Sequence, residues 1–246
     1  RDVYNELTQI NENVLTDIDI FFKEDNSIKI GITGTNRKST TAFHLQQLFN
    51  NFESASLVGN IGNTLLDNIN KAKYSIIELS SFQLDKMIKN KLDYGILLNI
   101  DKDHLDYHGN FKSYKKAKEK ILQAKKSISN ELDPYKLFYW VTNEEATQIN
   151  FENLPYRYQS ISEHIINDSK STNFHSLNYA INKANLTFGN SKYILIVCGN
   201  PEKEDFRKIE ILGPKMICIF GKHSKDINKC IINQNKVIFN NLDDIF

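Results

Sequence analysis

With 246 residues, 40% of them hydrophobic and 25% charged, the chain can bury the core of one large or two modest domains. A net charge of +1 gives no reason to expect a nucleic-acid partner, and no apolar run nears the roughly 20 residues needed to span a membrane. Three cysteines (Cys198, Cys218, Cys230) show no CxxC spacing and are expected to be buried, reduced thiols, not a metal or redox site. The N-terminal RDVYNELTQI carries no apolar core of a signal peptide, so the expected location is cytoplasmic.

In chain order, short apolar runs alternate with helical patterns, which predicts βαβ units and a mostly parallel sheet. Strands are expected at Lys29–Thr33, Ala55–Val58, Tyr74–Leu79 and Gly95–Ile100, and again at Tyr193–Cys198, Met216–Phe220 and Val237–Phe239. Helices are expected at about Thr41–Phe52 and Lys112–Ser127, and at Thr172–Thr187, ending before Gly189. In between, Leu137–Val141 (LFYWV) reads as a possible strand and Asn143–Asn150 as a weak helix. A boundary near 150 divides the chain into an ATP-loop domain, 1–150, and a smaller α/β unit, 151–246. Two such units meeting at a nucleotide form a natural clamp.

The most specific chemistry lies at Ile28–Thr41, IKIGITGTNRKSTT. A strand, a Gly-containing turn and a helix start are the context of a phosphate-binding loop, in which backbone N–H groups face an anion. Gly34, Thr35 and Asn36 form the turn, Lys38 neutralises phosphate charge, Ser39 reaches Mg²⁺, and Thr40 continues the helix N-terminus. Arg37 stands where such loops usually carry a glycine that lets backbone approach phosphate, often at positive φ. It either keeps the turn under strain, adds a phosphate contact, or weakens binding.

Other candidates sit at expected strand ends, where open α/β sheets bind ligands. Glu78, closing YSIIE, either holds Mg²⁺ or orients a water, or is a solvated carboxylate. The stretch from Asn99 to Asp106 (NIDKDHLD) places His104 as a metal ligand or as an ordinary loop residue. The lysine-dense segment around Lys118 reads, from pattern alone, as a solvated basic face. In HIINDSKSTN, Asp168, Ser169 or Thr172 can cap the following helix, or Asp168 and Lys170 can face a cleft. The run CGNPEKEDF from Cys198 is another strand-end loop, or an ordinary turn.

Taken together these segments resemble the Mur ligases. GITGTNRKST is similar to their ATP loop, and GNIG (Gly59–Gly62), ELSSFQL (Glu78–Leu84) and LNIDKDHLD follow in family order. So do YKKAK (Tyr114–Lys118), LPYR (Leu154–Arg157), NDSKSTN (Asn167–Asn173) and CGNPEKEDF. ELSSFQL points most specifically to the branch that adds D-glutamate to UDP-N-acetylmuramoyl-L-alanine in peptidoglycan synthesis.

The resemblance implies a P-loop-type, mostly parallel α/β sheet domain followed by a smaller Rossmann-like α/β domain. It implies ATP and Mg²⁺ as cofactors, with Ser39, Glu78, His104 and a carbamylated Lys118 on the metals. Arg157 and Asp168 then touch the nucleotide. Asn60 and Ser80 lie toward the UDP-sugar peptide, and Lys170, Thr172 and Lys203 toward D-glutamate. The implied catalytic residues are Lys38, His104 and Lys118, in a monomer acting on small molecules. The chemistry is phosphoryl transfer to the substrate carboxylate, then attack of the amine on the acyl phosphate. Against the family pattern, fewer than about thirty residues precede the loop's strand. The family's N-terminal UDP-binding domain, part of its central domain and its C-terminal end are therefore expected to be lacking. An alternative expectation follows from this: a nucleotide-binding remnant without ligase activity.

Overall fold

A computed structural model describes residues 2–11, 13–204 and 206–245, with every side chain among them except those of Asp2, Lys203, Glu204 and Ile245. The chain divides into two compact units, one of Arg1–Asp101 with Gly109–Leu154, the other of Lys102–His108 with Pro155–Phe246.

The first unit opens with helices α1 (Asp2–Ile10) and α2 (Asp17–Glu24). Thr16 and Asp19 form a reciprocal capping box that starts α2, and Ile18, Phe21 and Phe22, spaced i, i+3, i+4, point into the core. Strand β1 (Ile28–Thr33) leads through the Gly34–Arg37 turn into α3 (Lys38–Asn50), then β2 (Ala55–Gly59), β3 (Tyr74–Glu78), α4 (Ser81–Lys86) and β4 (Tyr94–Leu97). A short helix α5 (Leu105–His108) follows, in the segment that belongs to the second unit. Helix α6 (Phe111–Glu119), a 3₁₀ turn, edge strand β5 (Lys126–Ser129) and α7 (Pro134–Thr142) complete the first unit.

Five parallel strands pair in the order β2-β3-β1-β4-β5. Central strands β1 and β3 are buried almost throughout, because helices cover both sheet faces; this is why their sequences read as continuous apolar runs. Alternate residues divide the core in two. Ile30, Ile32, Leu57, Ile76 and Ile96 pack with Leu45, Leu48 and Phe49 of α3 and with Leu137 and Phe138 of α7. Val58, Ile77 and Leu97 face α2 and α4 through Phe21, Phe22 and Leu84. Opposite the phosphate-loop end of β1, Lys29 Nζ lies 3.2 Å from Asp25 Oδ2, with both side chains buried. Burial pushes the Asp25 carboxyl up, but hydrogen bonds from Ser27, the Asn70 backbone and Lys29 outweigh it and hold the group below its usual range.

Three expected elements differ. The lysine-rich helix expected to reach Ser127 ends at Glu119, and Lys126–Ser129 pairs with β4 as an edge strand. Gly95 allows the close approach behind this break: a Cβ there would lie 2.2 Å from the Ile121 carbonyl oxygen. LFYWV is helical, because Pro134 sits at the first turn beside the Asp133 cap and its apolar residues meet α3 at helical spacing. The weak helix at Asn143–Asn150 does not form; Asn143 closes α7 in the left-handed conformation (φ 60°).

The second unit holds a hairpin of β6 (Gln159–Ser162) and β7 (Ile165–Asn167), then α8 (Phe174–Phe188), which ends at Gly189 as expected. Strands β8 (Ile194–Val197) and β9 (Met216–Ile219), helix α9 (Ser224–Cys230) and β10 (Lys236–Ile238) follow, and the three strands are parallel in the order β10-β9-β8. Their core is Ile181, Ile211, Ile217, Ile219, Ile227 and Ile231. No cysteine is paired. Cys218 and Cys230 are buried, which raises both thiols, whereas Cys198 is exposed. Among the described residues no helix is long and apolar enough to cross a membrane.

Candidate functional site

The strand register builds the site. β1 lies between β3 and β4, with Ile32 opposite Glu78 and Thr33 opposite Leu97. The turn leaving β1 therefore emerges beside Glu78 on one side and the residues after Leu97 on the other. β2 pairs with β3 so that Gly59 is level with Glu78, which places Asn60 at the same sheet end.

The phosphate loop is tied down along its length. Thr35 N–H donates to the Asn99 carbonyl at 2.9 Å. Asn36 is bracketed by the Asn99 side chain, which accepts from its N–H at 2.8 Å and donates to its carbonyl at 3.0 Å. Thr35 Oγ1 accepts from Asp101 N–H at 2.9 Å and meets the Tyr114 hydroxyl at 2.9 Å. Beneath the loop, fully buried Lys118 donates to the Gly34 carbonyl at 2.8 Å and to Thr33 Oγ1 at 3.3 Å, with its nitrogen 5.0 Å from the Tyr114 ring centre. Lys118 is thus a buried strut, not part of a solvated face. Asn99 and Tyr114 carry the loop geometry, yet nothing in their local sequence marks them for it. Each acts on residues more than sixty positions away.

Helix α3 starts at Lys38 without a side-chain cap, so its first N–H groups are presented at the turn where an anion can take them. Lys38 Nζ donates to the Thr35 carbonyl at 3.2 Å, and Ser39 is buried in the first helical turn. Arg37 is exposed and adopts the left-handed conformation, φ 66° and ψ 3°. The backbone conformation that suits glycine is therefore kept with an arginine in it, at a cost of about 1–2 kcal/mol. Its guanidinium lies close enough to His44 to act on it. Burial holds the His44 imidazole below its ordinary value, Arg37 adds to this, and hydrogen bonds to Asn153 and the Glu152 backbone oppose it. The His44 ring stacks on Phe151, with centres 4.3 Å apart and planes 12° apart. Arg37→Gly is expected to raise the unfolding free energy by about 0.5–1 kcal/mol in urea titrations, the relief of the left-handed cost less glycine's greater chain entropy. Mg-ATP binding should tighten with it; weaker binding in that variant would make Arg37 a phosphate ligand.

Glu78 is 1% exposed. Its Oε1 accepts from Asn60 Nδ2 at 2.8 Å, while Oε2 is buried with no hydrogen-bond partner among the described residues. A buried carboxylate oxygen left this way is costly unless a cation completes it. This hard carboxylate oxygen suits Mg²⁺, an ion that keeps waters and phosphate oxygens for the rest of its shell. The residues present therefore fit the ion. Ser80 caps α4 through a reciprocal box with Gln83, which occupies its hydroxyl at 3.1 Å.

The remaining expected residues lie in the second unit. His104 has φ 51°, donates its N–H to Asp103 Oδ1 at 2.9 Å, and has its Nε2 3.8 Å from Asp103 Oδ2. Asp103 is buried and also accepts from Asn173 Nδ2 at 3.4 Å. Arg157 is flanked by Tyr156 (φ 64°) and Tyr158 (φ 50°), both in the left-handed region. Asp168 ties this turn to the next, accepting from Tyr158 N–H at 2.7 Å and from the Ser171 hydroxyl. Lys170 and Thr172 are exposed. Helix α8 is capped by Asn173 with Ser176, not by Asp168, Ser169 or Thr172: Asn173 has extended backbone one residue before the first turn, and its side chain accepts from Ser176 N–H at 2.9 Å. The Lys203 side chain lies outside the described residues.

Residues 32–189 match the profile of the Mur ligase middle domain. A UDP-N-acetylmuramoylalanine–D-glutamate ligase of Francisella tularensis subsp. novicida is 40% identical over 123 residues, covering 47% of this chain and 29% of that protein. The chain thus spans about three tenths of the length of the curated relatives it matches. Among solved structures, the MurF ligase of Thermotoga maritima in complex with ADP superposes with a TM-score of 0.69 at 14% identity, over 92% of this chain and 75% of that one. The bifunctional folylpolyglutamate synthase/dihydrofolate synthase of Yersinia pestis, complexed with AMPPNP and Mn, gives 0.63 at 13%, over 98% and 85%.

Proposed function

This chain belongs to the Mur ligase family, and on that premise we propose that it binds Mg-ATP at the Gly34–Ser39 loop and serves peptidoglycan precursor synthesis as the ligase adding D-glutamate to UDP-N-acetylmuramoyl-L-alanine. The observation that carries the reading is the pairing of an uncapped, preformed phosphate loop with the buried, open Oε2 of Glu78 on the adjacent strand. The likeness to a D-glutamate ligase supports the choice of amino acid, and relatives solved with ADP and with AMPPNP and Mn support the nucleotide.

In this reading Lys38 and the first N–H groups of α3 hold the β- and γ-phosphates in line with the substrate carboxylate. The carboxylate oxygen bonds to the γ-phosphorus as the bond to ADP breaks. The D-glutamate amine then attacks the acyl carbon, loses a proton, and phosphate leaves with the carbonyl re-formed. Ser39 and Glu78 hold a Mg²⁺, which when bound neutralises charge on the transferring phosphoryl group. His104 and a carbamylated Lys118 are the proposed ligands of a second ion. Arg157 and Asp168 are assigned to the nucleotide, Asn60 and Ser80 to the UDP-sugar peptide, and Lys170, Thr172 and Lys203 to D-glutamate.

A second reading, a nucleotide-binding chain without ligase activity, is favoured by Arg37 in the loop's left-handed position. Two assays decide. Calorimetry with ATP and Mg²⁺ is expected to give a Kd between about 1 µM and 1 mM. Phosphate release that requires both D-glutamate and UDP-N-acetylmuramoyl-L-alanine supports the ligase; binding without such release leaves the second reading, and no binding sinks both.

A further inference from the structure

The loop that carries Asn60 is built to hold that side chain on Glu78. Asn60 N–H donates to the Glu78 carbonyl at 2.9 Å, so backbone and side chain grip the same residue. Gly59, at φ +104°, makes this approach possible: a Cβ there would lie 2.4 Å from the Glu78 carbonyl oxygen. The loop closes on itself through Asn63 N–H to the Leu57 carbonyl at 3.0 Å and Gly59 N–H to the Asn63 carbonyl at 3.3 Å. Asn60 is therefore fixed from two sides, and one carboxylate oxygen of Glu78 is taken before any cation arrives.

This has a consequence for which cation the site accepts. Ca²⁺ takes six to eight oxygens and readily uses a carboxylate through both of them, whereas Mg²⁺ demands six at short distance and takes a carboxylate through one. With Oε1 held by Asn60, Glu78 offers only Oε2. We propose that Asn60 is a positioning residue that sets the metal selectivity of the nucleotide site, restricting Glu78 to single-oxygen coordination and so favouring Mg²⁺ over Ca²⁺. The proposal rests on the Mg-nucleotide reading of the Glu78 site.

The test uses the full chain and the probe AMPPNP, titrated calorimetrically with saturating Mg²⁺ or Ca²⁺. The native chain should bind the Mg²⁺ complex about tenfold more tightly than the Ca²⁺ complex. Loss of an outer-shell partner commonly costs a metal site about 10–100-fold in affinity. Asn60→Ala should therefore weaken the Mg²⁺ complex by at least about tenfold and bring the Mg²⁺/Ca²⁺ ratio near one. Asn60→Asp, which replaces the donor by a further carboxylate oxygen, should shift the ratio toward Ca²⁺. A purely structural Asn60 would lower the melting temperature of both variants while leaving the ratio unchanged, and that result overturns the proposal. Glu78→Gln reports on the underlying reading separately. Loss of the cation dependence of AMPPNP binding in that variant supports it. An unaltered response to both ions would remove Glu78 from the metal site altogether.

Discussion

Replacing Lys38 by alanine should sharply weaken ATP binding while leaving the fold intact. A charge-assisted hydrogen bond to phosphate contributes about 1.5–3 kcal/mol, a loss of about 10–150-fold in affinity. Little stability should be lost, because Lys38 is only half-buried and its 3.2 Å bond to the Thr35 carbonyl is local, three residues away within the loop. The loop is meanwhile held from below by Asn99, Tyr114 and Lys118. Titration of both proteins with ATP and Mg²⁺, together with their urea unfolding curves, checks this. Unchanged affinity in the variant would remove the phosphate assignment from the loop.

Lys118→Met has the opposite profile, a large loss of stability whatever its effect on nucleotide. Lys118 is 1% exposed, and its nitrogen serves the Gly34 carbonyl and the Thr33 hydroxyl. Methionine fills the volume but leaves those acceptors without their donor, at about 1–3 kcal/mol for each buried group left unpaired. We expect the unfolding free energy in urea to fall by about 2–4 kcal/mol. The same position separates two roles. Lys118→Arg restores donors and should recover part of the stability if the residue acts as a strut under the loop. It cannot form a carbamate, so a carbon-13 carbamate signal seen with labelled bicarbonate in the native chain and lost in Lys118→Arg would support the proposed modification. A Lys118→Met protein as stable as the native one would show that the buried nitrogen supports nothing.

The sheet was legible because buried parallel strands must be apolar runs ending at turns, and the runs beginning near Lys29, Ala55, Tyr74 and Tyr94 met that condition. Helix ends were harder to read. The lysine period around Lys118 continues past the point where Gly95 forces the backbone to tighten, and an aromatic run such as Leu137–Val141 satisfies strand and helix alike until Pro134 is weighed. In the candidate site, Glu78 and Lys38 could be singled out as candidates because each stands at a strand end or in a loop of recognisable spacing. Asn99 and Tyr114 could not, and the local pattern at Lys118 pointed to solvent, because their work is done through bonds to a loop more than sixty residues earlier. The grip of Asn60 on Glu78 shows the same limit over 18 residues. Local pattern names the candidate groups, and long-range pairing decides how those groups are held.

The double bracket of Asn99 on Asn36 gives the phosphate loop an unusual standing in the motions of the chain. Segments that cradle ligands are often the first to open, since few bonds hold them to the core. Here the amides of Thr35 and Asn36 are donated to Asn99, two residues beyond the end of core strand β4. Opening the loop therefore means pulling on β4, and the protons of these two amides should exchange with deuterium almost as slowly as those of the central strands. A loop that moves only when the sheet moves has spent its disorder during folding. Nucleotide capture then asks for little further ordering of the backbone, and its heat should report contacts made, with only a minor contribution from chain immobilisation.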